Sequence, residues 1–157
     1  MEISGAEMTG ISDLQAHRGY WLRMVSNAVS QSFARQMADQ GVTVAEWVFL
    51  RVLHDAEAMA PSSVAEAMAM TRGAISKIST RLEAKGLVQR TGNAQDRRGQ
   101  TLSLTAEGRA KVPVLAGIAD RNDADFFGVL TAEEAAALDR VLAALVARRG
   151  LRDVPVD

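Results

Sequence analysis

Apolar side chains in the first quarter of the chain recur at every third or fourth position. Between Leu14 and Gln40 the series Leu22, Val25, Val29, Phe33 and Met37 occupies one face of a helix, and Gly41 supplies its stop. Thr43-Val-Ala-Glu46 has the form of a capping box, in which a hydroxyl and a carboxylate reciprocally satisfy free backbone N–H groups at the start of a second helix. In that helix Trp47, Leu50 and His54 share one face while Phe49, Val52 and Leu53 share another, as expected of a helix buried on most sides. APSSVAEAMAM then predicts a short third helix with two competing start signals: Pro61, which suits a first turn, and the pattern Ser63-x-x-Glu66. After the MAMT junction, Thr71 caps a fourth helix that Gly86 ends. Its Ile75, Ile78 and Leu82 are spaced to face a core, whereas Arg72, Ser76, Lys77, Thr80 and Arg81 project elsewhere.

The period then changes from helical to alternating. LVQRT, residues 87–91, and TLSLT, residues 101–105, predict two strands, with Leu102 and Leu104 alternating against Thr101, Ser103 and Thr105. A glycine-bounded loop carrying Asp96, Arg97 and Arg98 joins them. Helical spacing returns after Thr105, a cap with Glu107 in the first turn, and Val112, Leu115 and Ile118 or Ala119 keep one face. Pro113 should bend or interrupt that helix. Phe126, Phe127 and Leu130 form a further apolar cluster. Thr131-Ala-Glu-Glu134 is another capping box, opening a last helix striped by Leu138, Val141, Leu142 and Leu145.

Two short helices across a tight junction, the second apolar inside and basic outside, have the form of a helix-turn-helix. The start of such a second helix can enter a DNA major groove, where Arg72 and Lys77 would donate to guanine or phosphate and Ser76 and Thr80 would approach either. An amphipathic helix with a solvated basic face would look the same in isolation. The hairpin that follows favours the DNA-binding form, because a hairpin in that place is a wing. The fold expected is therefore mainly α: a winged helix-turn-helix with a two-stranded β wing and long N- and C-terminal helices. With 157 residues and 48% hydrophobic composition, the chain reads as a single domain, 1–157. Residues 43–105 would form the DNA-binding lobe, and 14–40 and 106–149 would be dimerisation helices, since they carry more apolar surface than that lobe can cover.

Charge sharpens this division. The formal net charge is only −1, yet from Arg72 to Arg98 seven basic residues face Glu83 and Asp96 alone, a local +5. A basic patch on an acidic body suits a polyanionic partner without a basic isoelectric point. The absence of cysteine excludes disulfides, thiolate metal sites and thiol switches. The two histidines, His17 and His54, are too far apart for a close-spaced ligand motif, so no metal or cofactor is expected. Neither a signal peptide nor a membrane span is expected, which places the protein in the cytoplasm. Glycine-rich phosphate loops, nucleophile elbows and HExxH are missing, and Glu133 and Glu134 belong to a helix start, so an enzyme is not expected.

TRGAISKISTRLEAKGLVQR at 71–90, DRRGQTLSLT at 96–105 with the LTAEG that follows, and GVTVAEWVFLRVL at 41–53 together resemble the MarR family of bacterial transcriptional regulators. The resemblance runs from about residue 14 to 149, and its wing signature, Asp-x-Arg followed by a strand and Leu-Thr-x-x-Gly, is its most specific part. It implies a homodimer that sets its recognition helices into successive major grooves of a palindromic operator in double-stranded DNA. Thr71, Arg72, Ser76, Lys77, Thr80 and Arg81 would form the groove-facing set. Arg98 would enter the minor groove, Asp96 would orient it or brace a neighbouring arginine, and Arg97 would meet phosphate.

The resemblance further implies a repressor released by a small phenolic or aromatic acid bound between lobe and dimerisation helices. Candidate contacts for such an effector are Trp21, Met24, Trp47, Arg51 and His54, although Trp47 and His54 also suit plain core positions. The peroxide-sensing branch of the family needs a cysteine that this chain lacks. The alternative function is a winged-helix protein-interaction module without DNA binding, against which the clustering of Arg72, Lys77, Arg97 and Arg98 speaks.

Overall fold

A computed structural model of the chain describes residues 10–92 and 99–152. A 3-10 turn, Leu14–Ala16, leads into α1 (Arg18–Asp39), followed by α2 (Val44–His54), α3 (Pro61–Ala67) and α4 (Arg72–Ala84). The antiparallel pair β1 (Val88–Thr91) and β2 (Thr101–Leu104) comes next, then α5 (Ala106–Phe127) and α6 (Ala132–Arg149). This is the expected mainly helical winged fold, with Val88 opposite Leu104 and Arg90 opposite Leu102 in the hairpin.

The helix starts follow their caps. Thr43 Oγ1 accepts from the Glu46 N–H at 3.1 Å, while Glu46 Oε2 accepts from the Thr43 N–H at 3.0 Å. Thr131 and Glu134 repeat the arrangement at α6, and Thr71 and Thr105 cap α4 and α5 through single hydroxyl contacts. At α3 the proline signal prevails: Pro61 occupies the first turn and Ala60 is the cap. Its missing N–H falls where a helix start leaves donors without partners anyway. The first helix begins at Arg18 and not near Leu14 as expected, because His17 is extended and separates the 3-10 turn from α1.

Pro113 does not interrupt α5, which runs unbroken from Ala106 to Phe127. Its ring forfeits one backbone hydrogen bond, but Val112, Leu115 and Ile118 are buried on either side and hold the helix against the core.

α2 is the central element and packs against α1, α3, α4, α5 and β2. Phe49, Leu50 and Leu53 from it meet Val64, Ile75, Leu82, Leu102, Leu115 and Met37 in one core cluster. Leu102 also exchanges both backbone hydrogen bonds with Met59, which ties the hairpin to the segment before α3. The α3–α4 junction turns at Ala69, whose φ of 52° is left-handed. The Ala69 and Met70 N–H groups close back on the Glu66 and Ala65 carbonyls, a Schellman ending with alanine in the position usually held by glycine.

The two ends of the chain are covered differently. On α1, Met37 is buried while Trp21, Leu22, Met24 and Val25 stand exposed. α6 buries no residue, and its Val141, Leu142, Leu145 and Val146 are exposed. Buried Asn122 joins α5 to α1, its Oδ1 accepting from Gln36 Nε2 at 2.8 Å and its Nδ2 donating to the Val29 carbonyl at 3.3 Å. Among the described residues, no helix is long and apolar enough to cross a membrane.

Candidate nucleic-acid interface

α4 divides its side chains as its spacing predicts. Ile75, Ile78 and Leu82 are buried in the core, and Thr71, Arg72, Ser76, Lys77, Thr80 and Arg81 are exposed. Ser76, Lys77, Thr80 and Arg81 line a shallow open depression of about 340 Å³ on the outer face. Hydroxyl groups there are already oriented: Thr80 Oγ1 donates to the Ser76 carbonyl at 2.9 Å, and Thr71 Oγ1 accepts from the Ala74 N–H at 3.2 Å. Thr80 thus turns its lone pairs outward as acceptors, while Thr71 keeps a proton to donate. Among the described residues, neither Arg72 nor Lys77 is paired with a carboxylate, so both present uncompensated charge.

Other basic side chains of the same stretch are committed inside the protein. Glu46, only 1% exposed, receives Lys85 Nζ at 2.7 Å and Arg81 Nε at 3.3 Å. One carboxylate therefore caps α2 and also anchors the C-terminal half of α4 to it. Lys85 further donates to the Gly41 carbonyl at 2.8 Å. Arg81 remains half exposed, so it stands at the rim of the interface with its root held by Glu46. Arg90 on β1 reaches Glu83, Ser79 and Gln100.

Glu46 and Arg90 were not among the expected site residues, and one of them was detectable. Two-residue alternation puts Arg90 on the same face of β1 as buried Val88, which turns it toward the protein. Glu46 gave no such signal, because its capping pattern is complete without Lys85.

The junction after the hairpin explains the Leu-Thr-x-x-Gly pattern. Thr105 Oγ1 donates to the Gly86 carbonyl at 2.6 Å and accepts from the Gly108 N–H at 3.0 Å. A Cβ on Gly108 would stand 1.9 Å from the Leu87 carbonyl oxygen, so α5 can approach the start of β1 this closely only with glycine there. Asp96, Arg97 and Arg98 lie outside the described residues.

The residues expected to meet an effector occupy two separate helices. Trp47, Arg51 and His54 share one face of α2, where Trp47 packs against the core. Arg51 Nη1 donates to Asp55 Oδ2 at 2.7 Å, and this hydrogen bond holds the Asp55 carboxyl below its usual range. His54 Nδ1 lies 3.6 Å from the other Asp55 oxygen. Trp21 and Met24 lie on the exposed half of α1, and the Trp21 indole N–H donates to the Gln15 carbonyl at 2.8 Å.

Residues 42–99, which hold α2, α3, α4 and β1, match the family model described as "MarR family". The chain is 36% identical over 108 residues to the HTH-type transcriptional repressor MdtR of Bacillus subtilis, covering 68% of this chain and 67% of that protein. Its fold is similar to that of the YusO protein from Bacillus subtilis, at 30% identity and a TM-score of 0.71 over 85% of this chain and 95% of that one. It is also similar to BpsR of Bordetella bronchiseptica, at 26% identity and a TM-score of 0.70 over 87% of this chain and 97% of that one. The BpsR structure concerns the mechanism for regulation of its DNA binding by 6-hydroxynicotinic acid. With its helix-turn-helix, hairpin and Thr105–Gly108 junction in place and these relatives alongside, the chain belongs to the MarR family.

Proposed function

We propose that this protein is a dimeric, sequence-specific DNA-binding repressor that works in the cytoplasm and releases its operator when a small aromatic or phenolic acid binds. The observation that carries the reading is the outer face of α4, where, among the described residues, Arg72 and Lys77 pair with no carboxylate and stand beside Ser76, Thr80 and the tethered Arg81. Set into a major groove, that face offers charged donors to guanine and phosphate and hydroxyls to either. Arg98 enters the adjacent minor groove, with Asp96 to orient it and Arg97 on phosphate. The whole chain works as one domain: residues 43–105 form the DNA-binding lobe, and 14–40 and 106–149 pair with a second copy. Two-fold pairing matches a palindromic operator.

Two further observations support this reading. The relatives are transcriptional regulators, MdtR a repressor among them. A ligand that tunes DNA binding is the subject of the BpsR structure, and Trp21, Met24, Trp47, Arg51 and His54 would offer aromatic walls and a few polar groups to an aromatic acid.

Binding-site selection with Arg72→Ala and Arg98→Ala tests the assignments. Arg72→Ala should cost about 1–3 kcal/mol and alter preference inside the half-site. Arg98→Ala should weaken binding and relax the preference for A·T at the flanks. Uniform loss of affinity with unchanged preference in both variants would reduce these residues to phosphate contacts.

A further inference from the structure

We propose that Arg90 is a positioning residue that clamps the wing hairpin to the recognition helix α4 and so sets where the hairpin's loop meets DNA. This rests on the DNA-binding reading above. From β1 the guanidinium reaches in three directions: Nε donates to Glu83 Oε1 at 2.9 Å, Nη2 to Ser79 Oγ at 2.9 Å, and Nη1 to Gln100 Oε1 at 3.1 Å. Ser79 and Glu83 lie one turn apart on α4, and Gln100 directly precedes β2. A single planar group thus links the helix to both arms of the hairpin.

The Ser79 contact extends the link toward the DNA-facing side. Ser79 is 1% exposed, and its hydroxyl donates to the Ser76 carbonyl at 3.0 Å while accepting from Arg90. Ser76 and Lys77, on the face assigned to the groove, therefore sit in the same turn of α4 that registers the hairpin. The clamp acts where the buried face of β1 gives out, since Val88 is buried but Arg90, the next residue on that face, is exposed. Lysine cannot replace this arrangement, because its ammonium is a point charge without the fixed fork of donors.

The test uses the full-length protein with Arg90→Lys, Ser79→Ala and the double variant, each read in two ways. Amide exchange is compared between residues 88–92 with 99–104 and the core of α2, and duplex preference is profiled by binding-site selection. Arg90→Lys should speed exchange in the hairpin about tenfold and leave α2 unchanged, as expected for loss of charge-assisted hydrogen bonds. It should also loosen preference at the flanks of the site while the preference inside each half-site persists. Ser79→Ala should shift both readouts the same way by a smaller amount, and the double variant should be no worse than Arg90→Lys, because the two residues share one link.

Wild-type exchange together with wild-type flank preference in Arg90→Lys would overturn the clamp. So would uniform loss of affinity with unchanged exchange, which would mark Arg90 as a phosphate contact. If the wild-type protein selects no duplex, the proposed function falls, and exchange alone decides the clamp: faster in the hairpin upholds it, unchanged overturns it.

Discussion

Gly108 and Ala69 make opposite demands on the backbone. An alanine at 108 would set its methyl 1.9 Å from the Leu87 carbonyl oxygen, and backbone cannot yield as the end of a flexible side chain can. Gly108→Ala should therefore destabilise the protein by about 3 kcal/mol, the upper range for overpacking, measured by denaturant unfolding. Ala69 holds a left-handed conformation, φ 52°, that disfavours any Cβ. Ala69→Gly should raise stability by about 1 kcal/mol, seen as a higher unfolding midpoint with unchanged slope. At this scale the sequence is most readable where a contact is local. Thr43, Thr71, Thr105 and Thr131 all cap as their spacing predicts, since each partner lies three residues away. The second role of Glu46 was not legible, because Lys85 lies 39 positions along the chain. Asn122, buried between α5 and α1, was hidden for the same reason.

Elements were legible wherever the apolar period was strong. The inward set of α4 and the alternation of Leu102 and Leu104 in β2 both emerged from spacing alone. Less legible was the start of the first helix: local geometry around His17 divides the stretch expected from Leu14 into a 3-10 turn and α1, while the apolar series Leu22 to Met37 lies wholly within α1. At Pro113 the period held and the expected interruption did not occur, because the proline's intrinsic tendency to break a helix is overridden by the buried side chains around it. That override has a measurable cost. Pro113→Ala restores a donor to the Arg109 carbonyl and should stabilise the protein by about 2 kcal/mol, after allowing for the looser unfolded chain that alanine permits. Thermal unfolding of the two proteins at equal concentration checks this, and an unchanged or lower midpoint would mean that α5 needs its proline.

Across the whole molecule, charge and apolar surface are distributed unevenly. Exposed cations stand on the outer face of α4, and exposed apolar side chains stand on the first half of α1 and along α6. The proposed pairing with a second copy would bury residues such as Leu142, Leu145 and Leu22 that one subunit leaves uncovered. Leu142→Glu should then yield monomers in sedimentation experiments and weaken duplex binding, since one lobe alone spans only half of a two-fold site. The sequence announced this surplus of apolar surface, but how the helices of two copies would enclose an effector depends on their packing, which periodicity does not encode.

The central claim is that the α4 face and the hairpin bind duplex DNA through charge and base contacts together. Its most direct test is titration of the purified protein with a selected duplex across a range of salt concentrations. The account predicts affinity that falls linearly on logarithmic axes, by about 10³-fold or more between 50 and 200 mM salt if a dimer neutralises about six phosphates. Absence of salt-sensitive binding to any selected duplex, or to the DNA upstream of its own gene, would contradict it.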